Sequence, residues 1–234
     1  MRSEIYDFVE IGTSDFDTLI QKWPTKRGMC IEPLQLYLDN LPDITNITKL
    51  NAAIVADESI EEIECYYVHP TTISKNRLPG FLRGCNSVGA PHDFHVACPM
   101  TAKVWHAASP KERLKLPSIN LIDSGLVTVK KVPALTFEKL INKFSIKHIR
   151  YLKTDTEGMC PKILNSVLDF YTKESLLKDL PREIYFEANA HCDEKEVKQI
   201  CGRLESYGYE ISAVLGTDKL AVLKIETSKA ELNV

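Results

Sequence analysis

Short apolar runs of strand length alternate with segments of helical spacing along this chain, until the last two runs meet across a tight turn. Residues 5–11 are nearly continuous in apolar side chains, as a parallel strand buried on both faces must be. Phe16, Leu19, Ile20 and Trp23 then recur at helical spacing and predict a first helix over 16–23. A second strand is predicted at 28–32. Pro33 follows where a first helical turn accepts proline, and Leu34, Leu38 and Leu41 mark the apolar stripe of a second helix. Residues 47–55 are predicted as the third strand. The alternation resumes with a helix over 135–144, a strand over 149–155, a helix over 161–170, a strand over 183–187 and a helix over 193–207. Strands joined through helices run parallel, with right-handed crossovers. The β-rich runs 209–215 and 219–225, linked at Gly216-Thr-Asp-Lys219, predict an antiparallel hairpin instead. The expected architecture is α/β, a seven-stranded, mostly parallel sheet ending in that hairpin.

Composition agrees without deciding function. The 234 residues, 44% apolar and 26% charged, suit one large α/β domain. A net charge of −3 advertises neither nucleic acid nor an anionic membrane as partner. The seven cysteines are odd in number and never form a Cys-x-x-Cys pair, so they read as free thiols of a reducing, cytoplasmic setting. No apolar run approaches the length of a membrane span. The first strand begins within a few residues of Met1, which leaves no N-terminal helical cap over a substrate; an abrupt start is also what one domain of a longer polypeptide would show.

Residues 66–126 break the rhythm. They hold six of the twelve prolines and four of the six histidines, His69, His92, His95 and His106. A stretch this long inside a compact domain is usually a lid or binding segment. Phe81, Leu82, Phe94, Val96, Val104 and Trp105 supply too much apolar surface for a solvated tail. We therefore read 1–234 as a single domain with 66–126 inserted as the acceptor-binding lid. Trp105, Tyr66, Tyr67, Arg77, Arg83, Asn86 and Ser87 are the residue types a sugar site uses, flat faces for rings and forked polar groups for hydroxyls, although the same composition could equally fold back as ordinary core.

Two acids close the first two strands, Glu10 in Asp7-Phe-Val-Glu-Ile-Gly12 and Glu32 in Met29-Cys-Ile-Glu-Pro33. A glycine past one strand and an acid at the tip of the next is how a βαβ unit grips a ribose, so a nucleoside-containing cofactor is expected. The cofactor-binding candidates are Glu10, Gly12, Thr13, Ser14, Asp15, Glu32, Pro33, Asn51, Ala52 and Asp155. Ser14 or Asp15 could equally cap the first helix, and Asn51 could be a turn residue.

The run Ile149-Arg-Tyr-Leu-Lys-Thr-Asp-Thr-Glu-Gly158 resembles the Lys-x-Asp-x-Glu-Gly signature of the FkbM family of S-adenosylmethionine-dependent methyltransferases. Asp7–Gly12, Cys30-Ile-Glu-Pro33, residues 132–140 and residues 183–187 are similar to that family's first-strand, ribose-binding, helix-start and fifth-strand segments, in order over roughly residues 5–190. The resemblance implies a class I methyltransferase, Rossmann-like fold, S-adenosyl-L-methionine as cofactor, and a hydroxyl of a sugar, glycan or other natural product as acceptor. The C-terminal hairpin agrees, because a nicotinamide-binding domain would normally continue with another parallel strand. One position departs from the family: Gly12-Thr-Ser-Asp-Phe16 lacks the final glycine of the usual Asp-x-Gly-Ala-Asn-x-Gly loop, so Phe16 is expected to point away or the cofactor to sit differently. The loss also motivates a second reading, a catalytically silent binding module.

Transfer of a methyl from a sulfonium chiefly needs a nucleophile aligned behind it. A neutral hydroxyl must also lose its proton, and the candidate catalytic residues are Asp155, Glu187, His92 and Lys153. Asp155 and Glu187 end adjacent parallel strands, where open α/β sheets place ligands. Together with Asn189 they could hold a divalent cation such as Mg²⁺. The competing expectation is that Asp155 and Glu157 hydrogen-bond to backbone amides and organise the loop around Gly158 without metal.

Overall fold

The computed structural model describes residues 4–99, 117–189, 191–214, 216 and 218–224. Its elements in chain order are β1 (Glu4–Ile11), α1 (Leu19–Lys22), β2 (Gly28–Glu32), α2 (Gln35–Leu38), β3 (Ile47–Asn51), β4 (Ala53–Val55) and β5 (Glu62–Tyr67). Next come α3 (Pro70–Lys75), β6 (Ser87–Val88), α4 (Asp93–Val96), β7 (Cys98–Pro99), β8 (Ser118–Ile119) and β9 (Thr128–Thr136). The chain continues through α5 (Phe137–Phe144), β10 (Ile146–Thr154), α6 (Cys160–Lys173), β11 (Glu183–Phe186), α7 (Glu194–Ser206), β12 (Tyr209–Ala213) and β13 (Lys219–Leu223).

A seven-stranded sheet runs in the order β12-β13-β11-β10-β1-β2-β3. All its neighbours pair in parallel except β13, which is antiparallel to both β11 and β12. Side chains alternate between two covered faces. Val9, Ile11, Met29 and Ile31 pack with α5 and α6 through Phe137, Leu140, Ile163 and Leu164. Phe8 and Cys30 point the other way, against Leu19, Ile20, Leu38 and Leu41. A sheet buried on both faces explains the continuous apolar runs.

Two predicted helices shrink to single turns. Asp17 is left-handed at φ 56° and Thr18 caps α1, so Phe16 lies before the helix, while Trp23, next to Pro24, has φ −126° just past the helix end; α2 stops at Leu38, short of Leu41. The apolar residues beyond these turns still cover the sheet, but from loops. The longer helices carry their caps in sequence. The Thr136 hydroxyl accepts from the Lys139 N–H at the start of α5, and the Asp193 carboxylate accepts from the Lys195 and Glu196 N–H groups at the start of α7.

The predicted third strand, 47–55, is two strands in two sheets. The Asn51 side chain donates to the Glu32 and Pro33 carbonyls, which turns the chain out of the ladder after Asn51. β4 then joins a second sheet, β4-β9-β5-β6, in which β4 is parallel to β9 and the other pairs are antiparallel. The pairing of β5 with β9, from Glu62↔Pro133 to Tyr67↔Thr128, brackets the irregular stretch, so the departure from the main alternation starts at Glu62 and not at Tyr66. Val68, Ile73, Leu82, Cys98 and Leu121 give the stretch a small buried core of its own. Trp105, Val104, Pro110 and His106 lie outside the described residues.

Candidate functional site

The strand order reverses between β1 and β10, and a cleft with about 870 Å³ of empty space, its open mouth included, lies beyond the C-terminal ends of these strands. Open α/β sheets bind ligands at such a point. The β1 loop (Gly12, Thr13, Ser14, Phe16, Asp17), the end of β2 (Glu32, Pro33) and Ala52–Ile54 form one part of its wall. Lys153, Asp155, Thr156 and Glu157 from the end of β10 form another, and the second sheet adds Cys65, Gly84, Asn86 and Val88.

Gly12 is fixed by steric need. With φ +81°, a Cβ there would lie 1.9 Å from the Asp155 carbonyl oxygen, so the glycine lets the first loop close against β10. Ser14 also adopts a left-handed conformation, φ 50°. Its N–H donates to Glu32 Oε2 at 2.8 Å, while the Leu34 N–H donates to Oε1 at 3.0 Å. Glu32 is therefore buried, at 3% exposure, with one backbone donor on each oxygen and lone pairs remaining for a ligand diol. Burial pushes its pKa up to about 7 against the pull of those two amides. The Ser14 hydroxyl is buried without a hydrogen-bond partner.

Glu10 plays a different part. It is fully buried and does not line the cleft; its Oε1 accepts from Lys153 Nζ at 2.9 Å and its Oε2 from the Leu19 N–H at 2.8 Å. Burial raises Glu10 strongly; for Lys153, burial alone would lower the pKa, but Glu10 and Asp155 outweigh it and raise it. With both oxygens accepting N–H donors, Glu10 is held as the carboxylate of an ion pair. A lysine held so firmly charged is ill suited to act as a base at neutral pH.

Asp15 and Asn51 also face away from the cleft. The Asp15 carboxylate accepts from Asn40 at 2.7 Å and pairs with Arg83, which ties the first loop to the segment after α3. Of the other residues expected to contact a cofactor, Gly12, Thr13, Ser14, Glu32, Pro33, Ala52 and Asp155 line the cleft. Among the described residues expected to recognise a sugar, Asn86 lines it, whereas Tyr66, Tyr67, Arg77, Arg83 and Ser87 do not; Tyr67 belongs to the buried core. Phe16 does not point away. It stands at the cleft with its ring 3.2 Å from where a Gly84 Cβ would sit, half-exposed.

Behind the cleft a second constellation gathers. Glu157 adopts φ 46° and Gly158 φ 97°, a tight turn in which a Gly158 Cβ would meet the His191 carbonyl at 2.6 Å. A left-handed glutamate is uncommon, and such backbone tends to sit where the fold over-determines it. The turn brings Asp155, Glu157 and Glu187 together, each offering an oxygen within 4.8 Å of the others. His92 Nδ1 accepts from the Phe94 N–H at 3.0 Å, so the neutral ring carries its proton on Nε2 and donates it to Glu157 Oε2 at 3.2 Å. Burial keeps His92 low and neutral, and burial also raises Glu157 and Glu187, helped by repulsion from Asp155 on the first and from Glu157 and Asp155 on the second. Asn189 donates to Glu187 Oε1 while its own Oδ1 accepts from the His191 N–H at 2.9 Å. The Asn189 amide therefore orients Glu187, and its Oδ1, with one donor, keeps a lone pair as the oxygens of Glu32 do.

Neither His92 nor Glu187 lines the cleft, whereas Asp155, Lys153 and Glu157 do. Sequence spacing missed Phe16, Cys65, Gly84 and Val88 as cleft residues. Cys65 and Val88 reach the cleft through the pairing of β5 with β6 and β9, a contact between distant segments. Among the described residues no helix is long and apolar enough to cross a membrane. No protein-family model matches the chain, and a search of curated proteins returns no matching relative.

Proposed function

We propose that this protein is an S-adenosylmethionine-dependent O-methyltransferase with a class I, Rossmann-like fold, acting on a hydroxyl of a sugar, a glycan or a related natural product. One observation carries the reading: the last strand inserts antiparallel beside β11 in an otherwise parallel sheet, and an acid with free lone pairs closes β2 at the switch point. Bound there, the cofactor would supply a methyl group on a sulfonium, already on a good leaving group. Glu32 would hold the ribose diol, and Gly12–Ser14 would approach through backbone groups. Asp155, the cleft carboxylate with the most exposed side chain of the acidic group, would receive the acceptor proton. Lys153 would hold Asp155 in place, 3.7 Å away. The mixed wall of Val88 and Asn86 suits a ring with hydroxyls. We also place the protein in the cytoplasm, in keeping with its seven free cysteines.

Phe16, standing where a family glycine would open the loop, favours a second reading as a binding module without activity. Titration calorimetry with S-adenosylmethionine and S-adenosylhomocysteine separates the two. Micromolar binding of either supports the enzyme, and the absence of heat with both leaves the silent module.

A further inference from the structure

We propose that Asp155, Glu157 and Glu187 form a site for a hard divalent cation, Mg²⁺ or Mn²⁺, at the floor of the cleft. The three acids reach one another within 4.8 Å, and each is held from outside the group by a different donor. Lys153 Nζ stands 3.7 Å from Asp155 Oδ2, His92 Nε2 donates to Glu157 Oε2 at 3.2 Å, and the Asn189 amide donates to Glu187 Oε1. Outer partners of this kind orient ligating groups and leave their other lone pairs inward.

Glu187 supplies the observation that points to a ligand. The residue is only 5% exposed, and its Oε2 has no hydrogen-bond partner. The Gly158 amide favours its charged form, yet makes no hydrogen bond of good geometry to Oε2. A buried carboxylate oxygen left unpaired carries a desolvation penalty that a native structure normally avoids. Lys153, the ammonium that reaches this group, is already paired with Glu10, so it does not neutralise three acids. Either protons or a cation must.

The donor set selects the ion. Three carboxylates suit a hard cation. His92 cannot ligate as it stands, because its Nδ1 is occupied by the Phe94 amide and its Nε2 bears the ring proton. Asp155 and Glu157 line the cleft, which leaves the ion's remaining positions facing it. On the reading above, an acceptor hydroxyl bound there would become more acidic; that consequence rests on the methyltransferase reading, whereas the cation site does not.

The test uses the full chain, stripped with a chelator and dialysed, with no cofactor added. Titration with Mn²⁺ is followed by the electron paramagnetic resonance of the free ion. One saturable site per chain is expected, weakened about tenfold or more in Glu187→Gln and Glu157→Gln. Thermal unfolding supplies the control. Without metal, Glu187→Gln is expected to melt no lower than the wild type, since the uncharged amide fits a cluster that otherwise must hold protons, and Mn²⁺ should raise the melting temperature of the wild type alone. If that variant fails to fold, Asp155→Asn, at a more exposed side chain, carries the same expectation. Non-saturable binding up to millimolar Mn²⁺, or equal binding by wild type and variants, means that protons fill the cluster and overturns the site. Either result leaves the cofactor calorimetry to be judged separately.

Discussion

At Glu32, a pKa raised to about 7 by burial makes two quantities depend on pH in opposite directions. The folded state binds this proton more tightly than the unfolded chain, so stability is greatest below the ordinary carboxylate value and falls as pH rises toward 7. Relative to Glu32→Gln, the wild type is expected to lose roughly 3 kcal/mol across that window, measured by urea unfolding at several pH values. A ribose diol, by contrast, needs the ionised acid. Cofactor affinity should tighten by about tenfold per unit as pH approaches 7 and level off above it, and calorimetry of Glu32→Gln should show no such dependence. Lys153 makes a sharper case. Lys153→Met leaves Glu10 buried without its cation, a loss of about 3–5 kcal/mol. Adding Glu10→Gln should restore most of it, and a double-mutant cycle by chemical denaturation reads the coupling.

Among the elements, the packing of β1 on β2 is the least forgiving. A Cβ on Gly28 would lie 2.0 Å from the Phe8 ring, which is fully buried. Gly28→Ala is expected to destabilise by about 1–3 kcal/mol, with Phe8→Leu as the rescuing second change, both followed by thermal unfolding. The strands of the main sheet could be read in the sequence because burial on both faces leaves continuous apolar runs, and β13 could be placed through its short turn. The second sheet could not. β5 and β9 carry Glu62, Glu64 and Lys131 on an open face and a proline at 133, and they find each other only across the intervening chain. Apolar spacing overshoots the first two helices for a related reason, since Trp23 and Leu41 cover the sheet from loops just beyond the ends of α1 and α2. Glu32 could be picked out from its place at a strand tip. The separation of Glu10 from the cleft could not, because it depends on Lys153 arriving from a strand far along the chain.

For the molecule as a whole, the seven cysteines give a global probe. Burial pushes Cys30, Cys65 and Cys192 up to about 12 and Cys98 to about 11, and raises Cys85, Cys160 and Cys201 as well. Thiolates are scarce at neutral pH in such surroundings. Labelling with a chromogenic disulfide at pH 8 is therefore expected to be slow in the native protein, starting at the half-buried Cys201, and to reach all seven in denaturant. A fast native phase of several thiols would show that the packing described above opens readily.

The placement of β13 also sets a timetable. β12 reaches the sheet only through β13, which slots between two strands made before it. Until β13 is in place, the outer side of β11 is an open hydrogen-bonding edge, and β12 has no strand to join. Chains stalled in that interval present a template for strand addition between molecules. Closure of this edge therefore waits on β13, and the pairing of that one strand decides whether a folding chain stays alone.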